Sequence, residues 1–179
     1  MQRTLVLYST VDGQTKRIAE RIRARLEALE HQVQLVELER CALPLASFDK
    51  VVIGASIRYG KYRPALFDFI ARHQDVLAQK RTAFFSVNLV ARKPGKDTPD
   101  GSPYIRLFHR KTAWRPDRIG VFAGVLNYPA YGWRDRHIIR FIMWLTKGPT
   151  ALSTVQEFTD WGRVELFADQ VAGLDGGAQ

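Results

Sequence analysis

The chain begins with an apolar strand that runs directly into a turn rich in hydroxyl groups and glycine. Residues 5–8 read L-V-L-Y, residues 9–15 read S-T-V-D-G-Q-T, and a segment of helical period follows. A buried strand that ends at a helix start directs free backbone N–H groups and a partial positive charge at one point. Such a point suits a phosphate group. These residues therefore predict an anion-binding turn after the first strand.

Predicted strands and helices alternate along the chain. Residues 4–8 form the first strand, and Gln14 to Leu29 form a helix because apolar residues recur there at helical spacing. Residues 51–55 are continuously apolar, as in a strand covered on both faces. The other predicted elements are strands at 33–38, 82–87 and 119–125, a helix from Pro64, and a closing helix from Trp161 to Leu174. This order predicts an α/β fold with a doubly wound, five-stranded parallel sheet and helices on both faces. The loops after strands one, three and four would then meet at one edge.

Two segments fall outside this alternation. Residues 91–118 form a long, basic insert between the fourth and fifth strands, and a connection of that length is usually functional or disordered. Residues 131–147 interleave aromatic and aliphatic side chains with arginine, which is typical of a helix lying on a membrane surface. Core packing with an arginine-rich outer face is the alternative. The predicted membrane contacts are Trp133, Arg134, Arg136, Arg140 and Trp144.

Length and charge narrow the classes of protein to consider. A chain of 179 residues fits one domain, 1–179, and its net charge is +9. The positive charge is concentrated in residues 92–147, with 12 Lys and Arg against 4 Asp and Glu. This excess favours an anionic partner, such as a lipid surface, a polycarboxylate or a nucleic acid.

The single cysteine, Cys41, excludes an intramolecular disulfide and has no metal-ligand spacing around it, so no metal site is expected. Because no long apolar leader precedes the first strand, we expect the chain to stay in the cytoplasm.

The first turn, T-V-D-G-Q-T at residues 10–15, resembles the T-x-T-G-x-T phosphate loop of flavodoxins. Flavodoxins hold FMN at the carboxyl ends of strands one, three and four. The match departs at Asp12, where that family commonly has a hydroxyl. Since a carboxylate repels phosphate, we expect Asp12 to turn away and to accept hydrogen bonds from N–H groups of its own loop. The phosphate would then rest on backbone N–H groups and on the hydroxyls of Ser9, Thr10 and Thr15.

Longer segments resemble the quinone-dependent protoporphyrinogen oxidases of bacteria, which are flavodoxin-like enzymes of haem biosynthesis. These segments are V-V-I-G-A-S-I-R-Y-G-K-Y at 51–62, F-S-V-N-L-V-A-R-K-P at 85–94, W-R-P-D-R at 114–118 and Y-P-A-Y-G-W-R-D-R at 128–136. The resemblance implies oxidation of protoporphyrinogen IX to protoporphyrin IX, with six electrons passing through FMN to ubiquinone or menaquinone. It also implies a peripheral enzyme on the cytoplasmic side of the inner membrane, whose partners include a membrane quinone and an anionic membrane surface.

Three turns would hold FMN on this interpretation, and the chemistry would be centred on the flavin rather than on a catalytic side chain. Tyr59 or Tyr62 could lie against a ring face, and Asn88 could bond the pyrimidine rim. For the substrate propionates, the candidates are Arg58, Arg92 and Lys93. The expected cofactor contacts are Ser9, Thr10, Val11, Asp12, Gly13, Gln14 and Thr15, then Ser56, Ile57, Arg58, Tyr59, Gly60 and Tyr62, then Ser86, Val87, Asn88, Leu89 and Ala91.

The residues alone are also compatible with other functions. A flavodoxin-type electron carrier would usually be acidic around the flavin, whereas this chain is basic. An NAD(P)H:quinone reductase of the same fold would oxidise nicotinamide. A nucleic-acid binder would account for the charge, but the flavin loops make nucleic acid an unexpected partner. The sequence leaves open whether the chain forms a homo-oligomer.

Overall fold

A five-stranded parallel sheet forms the centre of the computed structural model, which describes residues 1–174. The strands are β1 (Arg3–Ser9), β2 (Gln32–Glu37), β3 (Lys50–Ser56), β4 (Arg81–Asn88) and β5 (Arg118–Ala123). Their order is β2-β1-β3-β4-β5, and every neighbouring pair is parallel. The predicted doubly wound, five-stranded sheet is therefore confirmed.

Helices cover both faces of this sheet. The helices are α1 (Gln14–Ala28), α2 (Pro64–Arg72), α3 (Gln74–Ala78), α4 (Pro103–Lys111), α5 (Trp133–Leu145) and α6 (Trp161–Ala172). The apolar stripe of α1, including Ile18 and Ile22, packs with Phe167 of α6 on one face. On the other face, α2, α3 and α4 cover a cluster in which Phe84 and Phe108 stack with ring centroids 4.2 Å apart. The carboxyl ends of the strands stay open at one edge.

The segment 91–118 is largely the ordinary crossover between β4 and β5. Its centre is α4, which begins after Ser102, whose Oγ accepts a hydrogen bond from the N–H of Ile105. Ile105 and Phe108 are buried, and Trp114, only 6% exposed, packs against the same cluster. The prediction of a separate long insert is therefore not confirmed. The first half of this segment is rich in proline and glycine, so the sequence pattern did not predict the helix.

The fifth strand ends two residues earlier than the sequence predicted. β5 stops at Ala123, and Val125–Asn127 forms a new strand, β6, which pairs antiparallel with β7 (Val155–Glu157). Between β6 and β7 lies α5. We call residues 125–157 the extra unit; its core includes Tyr128, Tyr131 and Met143.

The extra unit leaves and rejoins the sheet domain at one place. The N–H of Phe158 donates to the carbonyl of Gly124 over 3.1 Å, and Thr159 Oγ1 donates to the carbonyl of Ala123 over 2.7 Å. The unit therefore extends from the carboxyl edge of the sheet and returns before α6. Within residues 1–174, no helix has both the length and the apolar character needed to cross a bilayer.

Candidate functional site

A cleft of about 640 Å³ lies at the carboxyl edge of the sheet. The turns after β1, β3 and β4 form its floor, and the extra unit forms a wall. The predicted site residues that line it are Thr10, Val11, Asp12, Gly13, Gln14, Thr15, Ser56, Ile57, Arg58, Tyr59, Gly60, Val87, Asn88, Leu89 and Arg92. The fold thus brings most of the predicted site into one place.

The turn after β1 has the geometry of an anion site. Gly13 has a φ of +90°, which favours glycine, and its N–H donates to Thr10 Oγ1 over 3.0 Å. No side chain caps α1, and its first turn contains no acidic residue, so its leading N–H groups stay available. Thr15 Oγ1 is buried without a hydrogen-bond partner in the described chain. A buried hydroxyl without a partner is unfavourable, so a bound phosphate oxygen would satisfy it.

Asp12 does not bond the N–H groups of its own loop, and the prediction that it would do so is wrong. Its Oδ2 instead accepts a hydrogen bond from Arg58 Nη1, which belongs to the turn after β3. The N–H of Gly13 is satisfied by Thr10 instead. The cause is a partner 46 residues away along the chain, which a local sequence motif does not reveal.

The turn after β3 is a tight reversal. Arg58 and Lys61 exchange backbone hydrogen bonds of 3.0 and 3.2 Å, while Tyr59 and Gly60 have φ values of +51° and +77°. Positive φ at both central residues is the type I′ pattern, which favours glycine and strains tyrosine. The Tyr59 hydroxyl donates to Asp135 Oδ1 of α5. Burial and this hydrogen bond raise the pKa of the Tyr59 phenol.

Hydroxyl and amide groups from β3 and β4 complete the floor. Ser56 Oγ, like Thr15 Oγ1, is buried without a hydrogen-bond partner in the described residues. Asn88 is buried, and its Oδ1 accepts a hydrogen bond from the N–H of Ala91 over 2.9 Å. Its oxygen therefore holds the turn, while its Nδ2 makes only a long 3.5 Å contact with Ser86 Oγ. Ser56 Oγ and Asn88 Nδ2 can therefore donate hydrogen bonds to the polar edge of a planar ligand on this floor.

Several predicted site residues do not line the cleft. Ser9 Oγ donates to Glu39 Oε1 over 3.0 Å. Tyr62 is only 4% exposed and packs in the core cluster that contains Phe84 and Phe108. Its hydroxyl donates to Ser86 Oγ, so both side chains are buried below the floor of the cleft rather than facing it. Ala91 is buried in the same cluster, and Lys93 is half-buried outside the cleft. Of the two tyrosines proposed to lie against a flavin face, only Tyr59 lines the cleft.

Arg58 is held on four sides. Its guanidinium bonds Asp12 and Asp135, and it lies 5.3 Å from the ring centroid of Tyr59 and 5.4 Å from that of Tyr131. Burial opposes its charge, but the hydrogen bond and charge of Asp12 prevail and raise the pKa of Arg58. Its positive charge is thus already balanced by carboxylates.

Arg92 also lines the cleft, but neutral oxygens hold its guanidinium. Its Nη1 donates to the carbonyl of Leu89 over 2.7 Å, and its Nη2 donates to the carbonyl and hydroxyl oxygens of Thr146 over 3.1 and 3.2 Å. Within residues 1–174, no carboxylate forms an ion pair with Arg92. Burial lowers the pKa of its guanidinium. Arg92 is therefore a cation oriented by neutral oxygens, which suits an anionic ligand.

The sequence interpretation missed the wall of the cleft. Ile139 and Met143 are one helical turn apart on the buried side of α5, a spacing that is visible in the sequence. Arg17 of α1 also lines the cleft. The missed lining residues are Arg17, Tyr104, Gly124, Val125, Asn127, Ala130, Tyr131, Ile139, Ile142, Met143 and Thr146, together with Val90.

The outer face of α5 is apolar and exposed. Trp133 and Trp144 are 69% and 66% exposed, and Phe141 and Leu145 are also largely exposed. Arg134 and Arg140 accompany them on the surface. Arg136, also predicted to contact a membrane, instead turns inward, where it donates to the carbonyl oxygens of Tyr128 and Tyr131.

Comparisons with known proteins agree with this geometry. A flavodoxin domain family model matches residues 5–153. In solved structures, flavodoxin 2 from Bacillus cereus aligns with a TM-score of 0.55 at 18% identity, covering 95% of this chain and 97% of that one. An archaeal flavodoxin gives a TM-score of 0.54 at 16% identity, covering 95% and 96%. These likenesses establish the fold, and FMN is the cofactor that this domain and the unpartnered hydroxyls of Thr15 and Ser56 fit.

Two relatives carry a more specific name. Protoporphyrinogen IX dehydrogenase [quinone] from Escherichia coli K12 is 44% identical over 173 residues, covering 96% of each chain. The protein of the same name from Leishmania major is 43% identical over 95% of this chain and 74% of its own length. The resemblance seen in the sequence is thus confirmed. Similarity at this level spans nearly the whole chain. The chain therefore belongs to the flavodoxin-domain family of quinone-dependent protoporphyrinogen IX dehydrogenases.

Proposed function

We propose that this protein oxidises protoporphyrinogen IX to protoporphyrin IX, with FMN as its redox group and a quinone as electron acceptor. The observation that carries the proposal is the composition of this cleft. Its lining includes a phosphate turn with an unpartnered hydroxyl and an apolar wall formed by Ile139, Ile142 and Met143. An anionic flavin cofactor and a greasy macrocycle need these two surfaces side by side.

The FMN phosphate would be held by the N–H groups of the first turn of α1 and by the Thr15 hydroxyl. The isoalloxazine would be bordered by the turn after β3, with Tyr59 against a face, and by the end of β4 at Asn88. When bound, FMN supplies the capacity to take electron pairs from carbon and give them to a quinone. The chain itself would position the reacting groups, and it needs no nucleophilic side chain because the flavin accepts the electrons.

The substrate propionates need cations at the rim of an apolar surface. Arg92 meets this need best, because it lines the cleft without a carboxylate partner. Arg58 is engaged by Asp12 and Asp135, and Lys93 lies outside the cleft. Of the three predicted candidates, we therefore assign the propionate contact to Arg92.

We also propose that the protein binds peripherally to an anionic membrane, at the cytoplasmic side of the bacterial inner membrane. Support comes from the exposed aromatic residues of α5, which would enter the headgroup layer, and from Arg134 and Arg140 beside them. Ile142 lines the cleft and is also 36% exposed, so the cleft wall and the outer face of α5 are continuous. A lipophilic quinone and a poorly soluble porphyrinogen would reach the cleft by that route.

The test is an anaerobic assay of the full chain with protoporphyrinogen IX and a quinone, followed by porphyrin fluorescence. Porphyrin should form only when both FMN and quinone are present. Three quinones should be reduced for each porphyrin, because the six electrons leave in pairs. Quinone reduction driven by NAD(P)H but not by porphyrinogen would contradict the proposal and identify a nicotinamide-dependent quinone reductase.

A further inference from the structure

The phosphate turn contains a charge that opposes its expected ligand. Asp12 lines the cleft between Thr10 and the start of α1, and it lies in the turn whose N–H groups face the anion site. A carboxylate at that place repels a phosphate, which carries about two negative charges at neutral pH. The turn therefore needs a nearby cation before an anionic ligand can bind there with useful affinity.

Arg58 supplies that cation by direct contact. Its Nη1 donates to Asp12 Oδ2, while its Nη2 donates to Asp135 Oδ2 over 2.7 Å. The side chain is only 16% exposed and lies between the rings of Tyr59 and Tyr131. Because Asp135 and the two rings also hold the guanidinium, the position of Arg58 does not depend on Asp12 alone.

The other arginines around the turn pair with acids outside it. Arg17 Nη1 lies 3.5 Å from Glu157 Oε1, and Arg63 Nη1 lies 2.7 Å from Glu39 Oε1. Arg63 Nη1 also makes a long 3.4 Å contact with the carbonyl of Thr10. In the described chain, Arg58 is therefore the arginine that forms an ion pair with the carboxylate of the turn itself.

We propose that Arg58 is the counter-ion that lets a phosphate turn containing Asp12 accept the phosphate of FMN. This inference rests on the proposed function, because it assumes that FMN occupies this cleft. It gives Arg58 a role in selecting a phosphorylated flavin over an uncharged one, and not in contacting the substrate.

The test compares the affinity of the full chain, freed of flavin, for FMN and for riboflavin. Quenching of flavin fluorescence measures both, and riboflavin lacks the phosphate. Arg58→Gln should weaken FMN binding about tenfold and change riboflavin binding by less than about twofold. Asp12→Asn should bind FMN at least as tightly as the native chain, because Arg58 stays held by Asp135. The double variant Asp12→Asn, Arg58→Gln should recover most of the affinity that Arg58→Gln loses.

Arg63→Gln is the matched control, since it removes an arginine beside the same turn that does not contact Asp12. It should change FMN binding much less than Arg58→Gln does. Equal losses for FMN and riboflavin in Arg58→Gln, or a double variant as weak as Arg58→Gln, would overturn the proposal. If Arg58→Gln does not fold, Asp12→Asn decides alone, because weaker FMN binding in that variant contradicts the proposal. A chain that shows these variant effects but does not oxidise protoporphyrinogen IX would keep this inference and refute the proposed activity.

Discussion

Arg92 and Thr15 are single residues of the cleft that each lack a partner a ligand would supply. One is a guanidinium held only by neutral oxygens, and the other is a buried hydroxyl without a partner. Both arrangements are unfavourable in the protein alone, because burial without a charge partner or a hydrogen bond has a free-energy cost. A bound ligand would remove that cost in each case, and each residue gives a prediction of its own.

Arg92→Gln should raise the KM for protoporphyrinogen IX about tenfold, because a charge-assisted bond to a propionate is lost. Retention of FMN should stay close to that of the native protein. The native protein should also prefer the free diacid over its dimethyl ester, and the variant should lose that preference. Lys93→Gln is the control, since Lys93 lies next in the chain but outside the cleft. Equal KM increases in the two variants would contradict the assignment.

Thr15→Val should have opposite effects on stability and on binding. Removing a buried hydroxyl that has no partner should raise the free energy of unfolding of the flavin-free chain by about 1 kcal/mol. The same change should weaken FMN binding several-fold, because the phosphate loses a donor. Thr10→Val should instead lower stability, since Thr10 Oγ1 accepts the N–H of Gly13. Chemical denaturation and FMN titration of both variants would check the prediction.

At the scale of elements, α5 is fastened at both ends by arginines from the cleft turns. Arg58 bonds Asp135 in the first turn of α5, and Arg92 bonds Thr146 just after its last residue. These contacts hold the buried side of the helix as a wall of the cleft. The two turns that border the cleft floor therefore also determine where its wall lies.

Asp135→Asn should loosen the first turn of α5 and leave its last turn unchanged. The hydrogen bond from Tyr59 and the charge of Arg58 lower the pKa of Asp135. A carboxyl with a lowered pKa in the folded state contributes stability above its ordinary pKa of about 3.9, and the contribution is lost as the pH falls through the folded value. Hydrogen exchange should therefore be faster at neutral pH at residues 136–139 of the variant, whose N–H groups bond the carbonyls of residues 132–135, but not at 143–146.

Asp12→Asn is the control for that experiment, because it removes the other carboxylate on Arg58 without touching α5. If the two variants exchange alike along α5, the ion pair to Asp135 does not hold the helix. The native protein should lose protection at residues 136–139 only when the pH falls below about 4.

The elements differ in how far the sequence revealed them. The central strands are largely apolar, so β1, β3 and β4 were predictable, and the S-T-V-D-G-Q-T turn indicated the anion site. α4 was missed because its few buried positions, Ile105 and Phe108, lie among basic residues after a stretch broken by proline and glycine. β6 and β7 have three residues each, too few for a period to appear. The pairing of Asp12 with Arg58 depends on the fold and has no local signal.

At the scale of the whole molecule, exposed arginines and exposed apolar side chains lie together on the extra unit. Trp133, Phe141 and Trp144 are exposed there, beside Arg134 and Arg140. Arg136 is not part of this surface, since it bonds carbonyl oxygens inside the unit. The membrane interpretation therefore depends on two arginines, where the sequence suggested three.

Reversing both charges, Arg134→Glu with Arg140→Glu, should weaken binding to anionic vesicles at least about tenfold, since each cation contributes about 1 kcal/mol near such a surface. FMN retention should stay unchanged. The matched control is Arg106→Glu with Arg110→Glu, which makes the same change of net charge on exposed positions of α4. Co-sedimentation with vesicles checks the prediction, and equal losses in the two double variants would mean that binding follows net charge alone.

The hydrogen bond between Phe158 and Gly124 brings the two ends of the extra unit together. Because the excursion departs and returns at neighbouring points, joining those two residues directly would leave the order of the five strands intact. The sheet with its phosphate turn and the wall that shapes the cleft are thus joined along the chain at one place. A chain shortened in this way would keep the phosphate turn and would lose Ile139, Ile142 and Met143 from the lining of the cleft.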